Sequence, residues 1–140
     1  MNAKINPGTI LISKPFIEDR RFDKSIILIV EHNKNGTIGF ILNKQSPFQI
    51  SDFSKDIINK NINIKIGGPV EKNNLFYIHK HPEIINDSFE IKNGYYWGGN
   101  VNNLIEGLNS KLINCDNVFF FTGYAGWEKN QLNEELDTGS

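Results

Sequence analysis

The chain has 140 residues, a formal net charge of -1 and charges of both signs interspersed along it. That length supports one domain with a substantial core, and the charge balance excludes a broad electrostatic footprint for nucleic acid, though not a local one. A lone cysteine, Cys115, rules out an intramolecular disulfide and a multi-cysteine metal site. No apolar run approaches the roughly 18 residues of a membrane span. Met1 to Pro7 is polar and lacks the apolar stretch of a signal peptide, so the cytoplasm is the expected location and no membrane is involved.

Gly8 to Ser13 reads as a first strand, which Pro15 ends because proline cannot donate to a ladder. A charged loop from Asp19 to Asp23 carries both arginines, Arg20 and Arg21, with Phe22 as its anchor to the core. Solvated loop charge explains the arginine pair better than an anion site. Ser25 to Glu31 is a second apolar strand, and Thr37 to Asn43 returns from it through Asn35-Gly36, a strong hairpin signal. Alternation places Ile38, Phe40 and Leu42 on one face, with Gly39 and Ile41 on the other. A glycine inside a strand implies close packing over Gly39. His32 closes the outgoing strand, where one histidine is more often a hydrogen-bonded structural group than a catalyst.

Ser46-Pro47 breaks the chain, and Ser51 or Asp52 is suited to cap a short helix through Asn59. Ile62, Ile64 and Ile66 alternate with polar residues and lead into Gly67-Gly68-Pro69-Val70, where two glycines and a fixed proline φ favour a sharp bend. Leu75 to His79 is the next strand, and His79 and His81 flank Lys80. With His32 they make three histidines, but their spacing matches no standard zinc site. No metal and no cofactor is expected. Phe89 to Trp97 reads as a hairpin around Asn93-Gly94. Leu104, Ile105, Leu108 and Leu112 recur at helical spacing within Val101 to Leu112.

Val118 to Phe121 is an unbroken apolar run, suited to a strand buried on both faces. A break is expected at Gly123-Tyr124-Ala125-Gly126-Trp127, then a helix from Glu128 that aligns Leu132 with Leu136 and Gln131 with Glu135. The glycines admit two readings. They aim backbone N–H groups at an anion or a partner carboxylate, or they merely let Trp127 pack on the sheet, which is the commoner use of such turns. Neither a P-loop nor a dinucleotide fingerprint is present. The chain thus reads as one α/β unit over residues 1–140. It has a mixed sheet of roughly seven strands, two substantial helices and one short one.

Three blocks in this order resemble the YqgE/AlgH family of bacterial proteins. They are Phe22-Asp23-Lys24-Ser25 through Glu31-His32-Asn33 to Gly36–Asn43; Gly67-Gly68-Pro69-Val70 with Leu75 and Ile78-His79; and Gly123–Trp127 with Gln131-Leu132 and Glu135-Leu136. The resemblance covers nearly the whole chain and implies an AlgH-like α/β fold. It brings no agreed biochemical activity and no catalytic set; members carry the label of transcriptional regulator. Family members usually run some tens of residues beyond the third block, so this chain reads as short at its C-terminus.

Three functions compete. The first is a regulatory or interaction module that binds a protein or a small molecule, with self-association as a further option. Its candidate contact residues are His32, Asn43, Gly67, Gly68, Pro69, Gly123, Tyr124, Gly126, Trp127 and Gln131. Direct DNA binding has weak support, because the Val101–Leu112 helix precedes a strand rather than a recognition helix and carries only Lys111. The second is a small-molecule enzyme, which needs His32, His79, Asn43 and the Gly67-Gly68 backbone to share a pocket. The third is thiol redox at Cys115, opposed by the acidic neighbour Asp116 and the lack of a resolving cysteine. The balance leans toward binding and against catalysis.

Overall fold

A computed structural model describes residues 5–12, 24–129 and 131–132. Eight strands occur in this part: β1 (Ile10–Ile12), β2 (Ile26–Asn33), β3 (Gly36–Ile41), β4 (Ile64–Ile66), β5 (Val70–His79), β6 (Phe89–Lys92), β7 (Tyr95–Trp97) and β8 (Phe119–Trp127). One helix, α1 (Val101–Asn109), lies between β7 and β8. The strands form one sheet in the order β1-β2-β3-β8-β5-β7-β6, with β4 also paired to β8. All pairs are antiparallel except β4 with β8, so the sheet is mixed, as expected.

The apolar run before Gly123 does become the central strand. Phe120, Phe121 and Thr122 are buried and bond to β4 on one edge and β5 on the other. The expected break after it is absent. β8 continues through Gly123, Tyr124, Ala125 and Gly126 to Trp127, because β3 pairs with its last three residues. Helical backbone begins only beyond: the Glu128 N–H donates to Gln131 Oε1 (2.8 Å) and the Gln131 N–H to the Glu128 carbonyl (2.9 Å). The first bond is the side-chain half of a capping box, and the second is a backbone bond that closes the turn. Leu136 and the rest of the segment expected to be helical lie outside the described residues, as do Ser13, Arg20, Arg21 and Phe22.

Other boundaries move for identifiable reasons. Asn33 pairs with Gly36, so Lys34-Asn35 is the hairpin turn, and the Asn33 side chain accepts from the Asn35 N–H (2.8 Å). The Asn93-Gly94 turn is placed as expected, with φ of 54° and 85°. The short helix anticipated to Asn59 shrinks to a single 3-10 turn, Ile50–Asp52. α1 stops at Asn109 rather than Leu112. Lys111 adopts a left-handed φ of 66°, and the Ile113 N–H returns to the Gly107 carbonyl (2.9 Å). Ile113 therefore enters the core, while Leu112 is 71% exposed.

Three apolar clusters organise the packing. Leu104 and Leu108 of α1 join Ile64, Tyr77, Ile113 and Phe120 on one face of the sheet. On the other face Val30, Phe40, Ile78, Ile91 and Phe121 pack together, with Phe40 stacked on Phe121 at 4.8 Å between ring centroids. The adjacent residues Phe120 and Phe121 of β8 thus serve different cores, as the period of two requires. The third cluster puts Ile5, Ile27, Ile29 and Leu132 against Trp127 and Ile41. The sheet is curled: β2, second in the strand order, comes back against β6 at the far end. Strand twist accumulated over a sheet of this width produces such coiling.

Candidate functional site: the crossed glycine turns

β4 and β5 flank opposite edges of β8, because Phe121 pairs with Lys65 on one side and Phe76 on the other. Only Gly67, Gly68 and Pro69 connect them. The connection must therefore pass directly over β8. It does so at Gly123 and Tyr124, backbone against backbone. A Cβ added at Gly67 would sit 2.4 Å from the Gly123 carbonyl oxygen, and one at Gly68 only 2.1 Å from the Tyr124 carbonyl carbon. Gly123, with φ of +67°, meets Gly68 reciprocally: its added Cβ would lie 2.3 Å from the Gly68 oxygen. No side chain fits in this crossing, and only glycine adopts that φ without strain.

The same crossing redirects the sheet. Gly67 donates its N–H to the Thr122 carbonyl (2.8 Å) and accepts from the Ile41 N–H (2.8 Å). As β4 leaves the edge of β8 at Gly67, β3 takes its place at Ala125, Gly126 and Trp127. The two glycine motifs are thus halves of one structural device, 55 residues apart in the chain and in contact in the fold. Gly126 differs from the rest. It is exposed, and its added Cβ would meet only side chains, the Tyr124 ring at 3.3 Å and Val70 Cγ2 at 3.8 Å. Tyr124 itself packs edge-on against Phe76, with centroids 5.5 Å apart.

The remaining candidates fall into two places. Asn43 extends the β2–β3 ladder with its side chain, accepting from the Ile26 N–H (2.9 Å) and donating to the Lys24 carbonyl (2.8 Å). His32 Nδ1 lies 2.7 Å from the hydroxyl of buried Thr37, directly across the hairpin. His79 is elsewhere. Thr37 pairs with Trp127, whereas Ile78, beside His79, pairs with Phe119. Eight residues of strand separate these rows, about 26 Å at roughly 3.3 Å per residue. His32 and His79 therefore do not share one pocket.

His79 instead belongs to a polar network that the sequence did not bring out. It is fully buried. Its Nδ1 accepts from the His81 N–H (3.0 Å), which places the proton on Nε2 to donate to the Gly98 carbonyl (3.0 Å). Burial disfavours the imidazolium and holds the His79 pKa below its usual range; the Gly98 carbonyl opposes this, and the charge of His81 adds to it. Tyr77 donates its hydroxyl to the Gly99 carbonyl (2.6 Å), and burial pushes its pKa up to about 12. The Gly98-Gly99 pair was the available signal, since its two carbonyls take these side-chain donors where the chain enters α1. Cys115 is half-buried and accepts from the Asn59 amide (3.0 Å). Among the described residues no three His, Cys, Asp or Glu side chains gather to hold a metal.

Beside the crossing, on the face that carries α1, runs an open groove of about 620 Å³. Its floor is Ile41, Ile66 and Thr122, and its walls are Phe48, Pro69 and the bulge of β5. That bulge arises because Val70 pairs with Tyr124 but Leu75 with Thr122, so Glu71 to Asn74 loop outward. Lys72 from the bulge and Lys44 from the facing loop lie along the rim. Phe48 is 45% exposed there. Pro69 and Gly68 were legible in the sequence as turn residues; Phe48, Lys44 and Lys72 were not, because no periodicity marks them.

A curled mixed sheet, with one helical layer and a connection crossing its central strand, defines the class. The AlgH-like family model matches residues 10–140, and the chain belongs to that family. A UPF0301 protein of Cytophaga hutchinsonii is 36% identical over 137 residues, which cover 97% of this chain and 75% of that one. A UPF0301 protein of Parabacteroides distasonis is 40% identical over 136 residues, covering 95% and 68%. Two solved structures share the fold. Protein DIP2367 from Corynebacterium diphtheriae superposes with a TM-score of 0.75 at 22% identity, over 100% of this chain and 75% of that one. The AlgH protein from Pseudomonas aeruginosa gives 0.70 at 24%, over 93% and 71%. Among the described residues no helix is long and apolar enough to cross a membrane.

Proposed function

We propose that this protein is a binding module whose working surface is the groove beside the glycine crossing, and that any regulatory effect runs through a protein partner seated there. One observation carries the reading: an open groove, apolar along its floor, is rimmed by Lys44 and Lys72 and presents Phe48 to solvent. The occupant that fits is a short segment of another protein with apolar side chains and at least one carboxylate. A large exposed aromatic at a rigid concave site is the usual anchor of such contacts. Rigidity comes from the backbone crossing beneath it. The glycines of the two motifs serve as that foundation, and the contacts are made by the neighbouring side chains.

A Gly67→Val substitution is no test of binding, since its added atoms overlap the β8 backbone. Photocrosslinking from the groove is. A photoreactive phenylalanine analogue replaces Phe48 in cells, and separately Phe89, which is 54% exposed on β6 at the far edge of the sheet. The expected result is one discrete adduct from position 48, absent from position 89 and lost when Lys44→Glu and Lys72→Glu are added. Identical adducts from both positions, or adducts indifferent to the charge reversal, would overturn the proposal.

A further inference from the structure

We infer that the concave face of the curled sheet is a second, separate site, which takes a small amphiphilic carboxylate. Where β2 approaches β6, the curl leaves a cavity of about 420 Å³. That lies within the roughly 300–1,000 Å³ typical of small-molecule sites. Its lining is mostly hydrocarbon: Leu28, Leu42, Ile78, Ile91, Phe119 and Phe121. They come from four strands and, at Leu42, from the residue that follows β3, so the wall belongs to the folded sheet and not to one loop. Phe119, the first residue of the central strand, is 48% exposed and contributes its ring to this wall.

The polar groups at the cavity define the chemistry. Lys65 and Lys92 both line it, one from β4 and one from β6, on opposite sides of the curl. No carboxylate lines it among the described residues. Asn93 and Tyr95 add neutral hydrogen-bonding groups at the same end of β6 and β7. An apolar body with a single anionic head satisfies both halves of this wall. A cationic amphiphile would meet two like charges, and a polyanion would leave the hydrocarbon wall uncovered. The cavity opens on the face of β8 opposite the groove, because Phe119 and Phe121 line the cavity while Thr122 lines the groove. The two sites therefore stand or fall independently.

The two tryptophans make the test local. Trp97 packs in the concave cluster, and Trp127 packs in the third cluster away from it. Decanoate, decanol and decyltrimethylammonium are titrated below their micellar concentrations while the two indole N–H resonances are followed by NMR, assigned with Trp127→Phe. The expected result is saturable binding of decanoate that shifts the Trp97 signal and leaves Trp127 in place. The cation should bind at least tenfold more weakly. In a Lys65→Met/Lys92→Met variant, shown folded by circular dichroism, decanoate affinity should fall about tenfold with decanol unchanged. A wild type that binds none of the three, binds anion and cation alike, or responds only at Trp127 would overturn the inference. So would a folded double variant that keeps the full affinity for decanoate.

Discussion

Replacing Gly68 by alanine adds one methyl group at the most crowded point of the backbone. That methyl would lie 2.1 Å from the Tyr124 carbonyl carbon and 2.3 Å from the Ala125 nitrogen. Ordinary contact begins near 3.4 Å, so the connection would have to lift about 1.3 Å from β8. Neither side of the clash is a flexible side chain. The displacement would strain the bond from the Gly67 N–H to Thr122 and the bond from Ile41 to the Gly67 carbonyl, and each such buried bond is worth about 1–3 kcal/mol when left unmade. With about 1–3 kcal/mol for overpacking itself, a loss of at least about 3 kcal/mol is expected, or a fall in Tm of about 10 °C. Gly126→Ala is the matched comparison. It lies in the same motif but meets only side chains, the Tyr124 ring edge at 3.3 Å and Val70 Cγ2 at 3.8 Å, so a change within about 1 kcal/mol is expected. Urea unfolding followed by tryptophan fluorescence measures both. A Gly68→Ala protein within 1 kcal/mol of wild type, with an unchanged m-value, would refute the crossing as the reason for these glycines.

His79→Leu removes the partners of the Gly98 carbonyl and the His81 N–H, and about 2 kcal/mol of stability should go with them, read from the urea midpoint at pH 7.5. His79 also sets a pH dependence. Its folded pKa is depressed, so below about pH 6.5 the unfolded chain takes up a proton that the folded chain does not, and stability falls with pH until the folded pKa is crossed. The difference in stability between wild type and His79→Gln should therefore shrink from pH 7.5 to pH 5; parallel behaviour across that range would exclude His79 as its source. Asn43→Ala deletes two bonds that hold the start of β2 to the end of β3, and about 1 kcal/mol should be lost, with hydrogen exchange accelerated at the Ile26 amide. Leu104→Ala opens a fully buried site between α1 and the sheet, with an expected loss of about 2–5 kcal/mol by thermal denaturation.

Local chemistry fixed a good part of this protein before any tertiary contact was considered. The φ > 0 tolerance of Asn93-Gly94 specified a turn wherever the flanking strands went. Period-two alternation in β3 put Ile38, Phe40 and Leu42 on one face, and they do line the concave cluster. A continuous apolar run announced Val118 to Phe121 as the start of the central strand. The order of the three motifs was sufficient to indicate the family. Long-range pairing decided the rest. Gly123 looked like the end of a strand because glycine usually is, but β3 supplied partners to Gly126 and Trp127 and drew the strand onward. Leu112 held the correct helical phase, yet α1 turned away at Lys111 and Ile113 took the core position instead. The two glycine motifs could each be seen, but not that they touch, since contact across 55 residues is a property of topology and leaves no local trace. The two cavities depend on the curl of the whole sheet, and their lysines carry no pattern that distinguishes them from solvated surface charge. Sequence determined the family and most of the elements; only the crossing of β8 by the connection from β4 to β5 decided where the groove forms.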